Sequence, residues 1–283
     1  MSEKPLYSVA RIRQTMNDAG LPFMKKWGQN FLTDGNLIQK IVAGAEISSE
    51  DVVLEIGPGI GTLTEALLAR AKRVIAVEID GRLIPVLSNN FQDYANFQLI
   101  HADALRLDLF ELLQKEAPGA RVQVVANLPY YITTPLLQRL LDPALPVDRC
   151  TLMVQKEVAE RMTAAPSTKE YGSLTLFIAC YARAEILFPA PKTVFFPAPK
   201  VDSAVVRLDR REPPDGLDVE RLSHWIQCAF QKRRKTVLNS LQSGENIDKN
   251  LLKIALEKQG ISLRARAEDL CLEDYVALAR ELF

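Results

Sequence analysis

Three glycines spaced two apart, Gly57, Gly59 and Gly61, follow the run Val52-Val53-Leu54-Glu55-Ile56 and precede Leu63-Thr64-Glu65-Ala66-Leu67-Leu68, whose spacing is helical. Strand, bare turn and helix in that order let a ligand lie against exposed backbone, with the free N–H groups of the helix's first turn pointing at it. At the carboxyl end of a parallel strand, such a turn is where open α/β sheets bind nucleotides. Later apolar runs also end on groups able to do chemistry. Arg73–Asp80 carries Glu78 near its end, Phe97–His101 leads into Asp103, and Val122–Ala126 runs into Asn127-Leu128-Pro129-Tyr130.

A dinucleotide loop wants Gly-x-Gly-x-x-Gly around a pyrophosphate, but the sixth position from Gly57 is Thr62. The pattern is Glu55-x-Gly57-x-Gly59-x-Gly61, which resembles the first motif of S-adenosylmethionine (AdoMet) methyltransferases. That ligand has no phosphate, so no lysine is required. Glu78 stands where a carboxylate accepts the two hydroxyls of a ribose, a sugar that NAD and AdoMet share. Asp103 stands where a third strand end reaches the adenine and accepts from its amino group. Asn127-Leu128-Pro129-Tyr130 places an amide, a carbonyl and a ring beside the cofactor. Pro129 pushes Leu128 out of the helical region and frees its carbonyl to face the pocket.

The elements that position these groups read as a doubly wound α/β domain. Helices are expected at Ser8–Ala19, Asn36–Ala45 (capped by Asp34), Gly81–Asn90, Leu109–Lys115, Pro135–Leu141 and Lys156–Met162. Strands are expected at Cys150–Gln155, Leu174–Ala182 and Ser203–Leu208. The prolines of Phe195–Ser203 make a stiff loop carrying aromatic rings. Beyond a charged linker at Arg210–Gly216 the pattern is purely helical: Val219–Ala229, Arg233–Ser240, Ile247–Gln259 and Leu272–Leu282. The expected division is therefore 1–209, catalytic, and 210–283, helical. No apolar run approaches the roughly 18–20 residues of a membrane span, and no signal-peptide core opens the chain. Four scattered cysteines and two histidines, His101 and His224, give little support to a metal site or a Ser-His triad. The cysteines read as reduced thiols of a cytoplasmic protein.

Taken together, Gly28-Gln29-Asn30-Phe31-Leu32, the glycine turn, Asn127-Leu128-Pro129-Tyr130, Gln155-Lys156-Glu157-Val158, Phe195-x-Pro197-x-Pro199-Lys200-Val201-Asp202-Ser203 and Arg233-Arg234-Lys235-Thr236 resemble the ribosomal RNA adenine N6,N6-dimethyltransferases of the KsgA (RsmA) type. The resemblance implies a seven-stranded Rossmann-like AdoMet-dependent methyltransferase sheet with a small C-terminal all-helical, RNA-facing domain. It implies as substrate two adjacent adenines near the 3′ end of small-subunit (16S) rRNA in an assembling 30S particle, and a monomeric enzyme without a metal. Carried over, Asn30 and Leu32 contact the cofactor, Gly57, Gly59 and Gly61 line it, Glu78 holds its ribose, Asp103 its adenine, and Asn127 adjoins the methyl donor. Asn127 and the Leu128 carbonyl would accept the N6 hydrogens, with Pro129 shaping the turn and with Tyr130 and either Phe195 or Phe196 stacking on the flipped base, the motif favouring Phe195. One departure is visible: many relatives have Asn where this chain has Tyr131. Formal charge is zero, 35 basic residues against 35 acidic. With an RNA substrate, Lys25, Lys26, Lys232, Arg233, Arg234 and Lys235 become expected phosphate contacts. Rival readings are a large-subunit rRNA methyltransferase of the macrolide-resistance kind, a non-enzymatic nucleic-acid-binding factor and an NAD oxidoreductase.

Overall fold

The computed structural model describes residues 5–21, 29–232, 234–244 and 247–283. Helix α1 (Val9–Asp18) starts where the Ser8 hydroxyl accepts from the Arg11 N–H at 3.2 Å. A two-residue strand β1 (Phe31–Leu32) follows, then α2 (Gly35–Ala45). Asp34 caps α2, its Oδ1 accepting from the N–H groups of Asn36 and Leu37 at 2.8 and 3.1 Å. Such a cap satisfies donors that the helix cannot satisfy itself.

The alternating unit comes next: β2 (Val52–Ile56), α3 (Thr64–Leu68), β3 (Arg73–Glu78), α4 (Ile84–Asn90), β4 (Phe97–His101), α5 (Leu109–Glu116), β5 (Val122–Asn127), α6 (Thr133–Leu140), β6 (Arg149–Gln155) and α7 (Lys156–Met162). The chain continues through α8 (Ser173–Tyr181), β7 (Ala182–Ala190), β8 (Phe195–Phe196) and β9 (Ser203–Arg210). The seven-stranded sheet runs β4-β3-β2-β5-β6-β9-β7. Strands β4 to β6 pair in parallel, and β9 joins β6 antiparallel from Ser203 opposite Gln155 to Asp209 opposite Arg149. Every residue of β2 is buried, as are all of β3 except Arg73, the continuous burial that a sheet covered on both faces demands. The order reverses between β2 and β5, because the chain winds outward through β3 and β4 and then returns to the far side of β2. Such a switch point opens a crevice at the carboxyl ends of the strands.

Two compact units emerge: residues 1–159 with 185–210, and residues 160–184 with 211–283. The chain leaves the first unit after Arg210, where the expected division falls at 209/210. Residues 160–184 are a correction to that division. Inside the second unit the Tyr171 hydroxyl donates to the Leu270 carbonyl at 2.9 Å, and the Tyr171 ring meets Phe230. The same stretch overturns a strand expectation. Leu174–Ala182 is helix α8, and the strand is the following Ala182–Ala190. Leu174, Thr175, Leu176, Ile178, Cys180 and Tyr181 are all buried, so α8 is apolar nearly all round and shows no 3.6-residue period to distinguish it from a buried strand. Conversely β7 contains Pro189 and exposed Glu185 and Ile186. It tolerates them because it lies at the sheet edge.

The second unit also holds α9 (Val219–Phe230), α10 (Val237–Gly244), α11 (Lys249–Lys258) and α12 (Leu272–Leu282). Its centre is Trp225, fully buried, with Tyr275 and Phe283 set edge-on to it at 6.1 and 5.4 Å between ring centres. The helix expected at Arg233–Ser240 starts later. Lys235 N–H donates to the Lys232 carbonyl in a turn, and Thr236 bridges to Arg266 before α10 begins. Among the described residues no helix is long and apolar enough to cross a membrane.

Gly61 shows what the turn before α3 requires. Its φ is +94°, and a Cβ there would stand 2.3 Å from Cε2 of Phe91, the buried residue that ends α4. Gly61→Ala should therefore cost about 1–3 kcal/mol of stability. Urea unfolding checks this as a lowered midpoint at unchanged m-value.

Candidate active site

The crevice at the switch point is a cavity of about 270 Å³. This is near the lower bound for small-molecule sites, so a nucleoside-sized ligand would fill it. Four strand ends and one N-terminal segment wall it. Glu55 to Gly59 follow from β2, Val77 to Ile79 from β3, Ala102 to Leu105 from β4, and Asn127, Pro129 and Tyr131 from β5; Gln29 to Leu32 close the side. Register brings them together. Glu55 lies opposite Ala76 and Ile56 opposite Val77, so the Gly57 N–H extends the ladder by donating to the Val77 carbonyl at 2.9 Å.

Gly57 and Gly59 both have positive φ, +71° and +63°, which a side chain disfavours. A Cβ on Gly59 would also stand 2.8 Å from the Phe31 ring. Gly61 does not line the cavity. Its expected place among the cofactor residues is corrected: its bareness serves Phe91.

Three acidic residues line the cavity, Glu55, Glu78 and Asp103, and no Lys, Arg or His does among the described residues. Glu78 is buried and accepts at both oxygens, from Asp80 N–H at 2.8 Å and Gly59 N–H at 3.1 Å. Burial raises its pKa, and these donors work against the shift. Glu55 is fully buried, with Thr64 Oγ1 donating to its Oε2 at 2.7 Å. Burial pushes its pKa up to about 8, the Thr64 hydrogen bond opposing and the Glu78 charge adding to the rise. Asp103 accepts at Oδ1 from Leu105 N–H at 2.9 Å, and Arg106 Nε lies 3.7 Å from its other oxygen. A diphosphate here would meet carboxylates and no counter-charge, which disfavours a dinucleotide.

Asn127 ends β5 with its amide on the cavity wall. Its Nδ2 donates to the Asn30 carbonyl at 3.0 Å, which leaves Oδ1 as the acceptor. The N-terminal segment is held at further points. Gln29 Nε2 donates to Asp80 at 2.9 Å, Phe31 and Leu32 pair antiparallel with Phe196 and Phe195, and Thr33 N–H donates to the Val194 carbonyl at 2.8 Å. The segment is thus sewn to the β3 end, the β5 end and the loop before β9.

Not every expected residue reaches the cavity. Asn30, Leu32, Gly57, Gly59, Glu78, Asp103, Asn127 and Pro129 line it. Leu128 does not line the cavity, and its side chain is buried. Tyr130 lies beside the cavity, not on its wall, its hydroxyl 2.7 Å from Ser203 Oγ. Phe195 is a correction: β8 pairing turns its ring into the hydrophobic core, where it is 4% exposed, while Phe196 lies under the Arg13 guanidinium at 4.9 Å. Lys232, Arg234 and Lys235 are exposed. Lys25, Lys26 and Arg233 lie outside the described residues. Sequence reasoning gave Glu55 no role of its own and missed Ile79 and Leu105 as apolar walls; each of those two closely follows a strand-end carboxylate. It left Tyr131 open. Tyr131 lines the cavity, and burial, then Asp103 and Glu78, raise its hydroxyl pKa.

Residues 20–282 match the family Ribosomal RNA adenine dimethylase. The chain is 45% identical over 264 residues to "Ribosomal RNA small subunit methyltransferase A" of Alkaliphilus oremlandii, covering 92% of each. It is 43% identical over 286 residues to the protein of that name in Geobacillus sp., covering 99% of this chain and 98% of the other. Among solved structures, a dimethyladenosine transferase from Plasmodium falciparum aligns with TM-score 0.74 at 29% identity, over 87% of this chain and 95% of that one. The 23S rRNA methyltransferase ErmE aligns with TM-score 0.70 at 30% identity, over 89% and 99%. On the family match and on relatives this similar across nearly the whole length, the chain belongs to the ribosomal RNA adenine dimethylase family.

Proposed function

We propose that this enzyme transfers methyl groups from AdoMet to N6 of two adjacent adenosines near the 3′ end of small-subunit rRNA, giving N6,N6-dimethyladenosines. It does so as a monomer, in the cytoplasm, on an assembling small subunit. The observation that carries the reading is the Asn127 amide, held through Nδ2 with its oxygen left to accept, at the mouth of a cavity lined by bare backbone and carboxylates. The relatives' shared name, at 43–45% identity, favours the small subunit as the target.

The residues present fit AdoMet. Gly57 and Gly59 put bare backbone at positive φ on the cavity wall, Glu78 has lone pairs beyond the Asp80 and Gly59 N–H groups for a ribose, and Asp103 offers an acceptor to an adenine amine. When bound, AdoMet supplies an electrophilic sulfonium methyl. The chain supplies geometry. Asn127 Oδ1 and the Leu128 carbonyl each accept one N6 hydrogen, which draws the amine toward tetrahedral geometry and aims its lone pair at the methyl carbon. Orientation of this kind is worth several kcal/mol, with an upper range of about 7–11. The same two acceptors face the positive charge that develops on nitrogen. After the first transfer one N6 hydrogen remains, so one acceptor still holds the amine for the second. The proton leaves from a nitrogen made acidic by methylation, and no dedicated base is needed.

The base must leave its stack, at a few kcal/mol. Tyr130 provides a ring for it to stack on, worth roughly 1–3 kcal/mol. Lys232, Arg234 and Lys235, together with Lys25, Lys26 and Arg233, bind phosphates. Such contacts carry little sequence information, so selection of the two adenines falls to the folded particle.

Two outcomes test this reading. Tyr130→Ala should lose methyl transfer while keeping AdoMet affinity, and Asp103→Ala should lose AdoMet affinity about tenfold or more; equilibrium binding and single-turnover assays on isolated small subunits separate them. Unchanged binding and turnover in both would refute the scheme, and methylation of isolated large subunits in preference to small ones would move the target. Replacing Lys232, Arg234 and Lys235 by Ala together should flatten the log–log salt dependence of RNA binding by about 2–3 units, read by titration across salt concentrations.

A further inference from the structure

One buried acid on the cavity wall has no part in aiming the amine. Glu55 is 1% exposed, lines the cavity beneath the glycine turn, and is held by the Thr64 hydroxyl, which is itself fully buried. The charged and titratable groups facing it are few. Glu78, from β3, is of like sign; Thr64, from α3, is neutral; and its sheet neighbour in register is Ala76. No basic side chain lines the cavity among the described residues. A carboxylate in such a place lacks the counter-charge that burial ordinarily requires.

We infer that Glu55 is a proton-coupled counter-charge for the methyl donor: neutral in the free enzyme, it gives its proton to solvent when a sulfonium-bearing ligand binds and recovers it once the neutral thioether remains. The inference rests on the AdoMet reading above. The two ligands differ by one positive charge, and that charge is what the cavity's three carboxyls can distinguish. Burial has already set Glu55 to titrate at about 8, so at pH 7 the free enzyme holds it mostly protonated. A cation brought into the cavity favours the ionised form and lowers that pKa. Binding of the cation therefore strengthens as pH rises toward 8 and levels off above it, while binding of the thioether changes little over the same range. The consequence for turnover is directional. The donor enters with its counter-charge made on demand, and the spent ligand leaves a site that no longer attracts it.

The test is isothermal titration calorimetry at pH 7, in two buffers of different ionisation enthalpy, with AdoMet and with S-adenosylhomocysteine on the full-length enzyme. AdoMet should release about one proton per site and S-adenosylhomocysteine none. In Glu55→Gln, which keeps the shape and an acceptor for Thr64, the release with AdoMet should vanish. The preference for AdoMet over the thioether at pH 7 should fall about tenfold, which corresponds to a lowering of the Glu55 pKa by about two units in the AdoMet complex. AdoMet binding without proton release overturns the inference, as does equal release by both ligands or full release retained in the Gln variant. The wild-type comparison decides the matter even if the variant does not fold. Failure of AdoMet to bind at all would overturn the cofactor reading as well.

Discussion

The site depends on one hydrogen bond, from Gly59 N–H to the buried carboxylate of Glu78. A carboxylate taken out of water at a strand end needs donors, and the nearest ones belong to backbone. For Gly59 to offer its N–H, the turn after β2 must fold back across the end of β3. It does so with positive φ at Gly57 and Gly59, and with Phe31 packed where a Gly59 side chain would stand. Parallel register between β2 and β3 makes that approach automatic, since Gly57 N–H is already extending the ladder to Val77. Ligand cradle and carboxylate are therefore one structure.

How much of this is legible in the sequence follows from the range of the forces involved. Local chemistry is: Asp34 caps α2, Lys156–Met162 is a helix to the residue, and the first five long strands fall within a residue or two of their apolar runs. What depends on distant partners is not. Helix α8 hides its period because the second unit buries it on nearly every side, and β7 hides its strand character because an edge position admits Pro189. The pairing of Phe31-Leu32 with Phe195-Phe196 involves two residues on each side, too few to leave any pattern, yet it decides which phenylalanine is buried. At the site, the strand-end carboxylates and Asn127 could be read from spacing, whereas Gly61 and Phe195 were assigned by their motifs and serve packing instead.

The segment at Gln29–Thr33 ties the cavity wall to the Asn127 amide through a single group. Asn30 lies on the cavity wall, and its carbonyl receives the Asn127 Nδ2 hydrogen. An amide can present oxygen to a substrate amine only if its nitrogen is occupied elsewhere, because a free rotation would offer a donor to a donor. The Asn30 carbonyl removes that ambiguity without using a charged group. The other ties along the segment, at Asp80, Val194 and the β8 pairing, fix where that carbonyl stands.

The chemistry is thereby divided between groups of different kinds. In the proposed scheme, recognition of the ligand falls to the acidic residues of the cavity wall, and transfer to neutral acceptors, an amide oxygen and a backbone carbonyl. The division has a physical reason. Fixed dipoles interact weakly with the neutral amine and more strongly as its nitrogen becomes cationic, so their contribution grows along the reaction coordinate. Asn127, held through its Nδ2 by the Asn30 carbonyl, is the residue to which the proposed scheme gives this part.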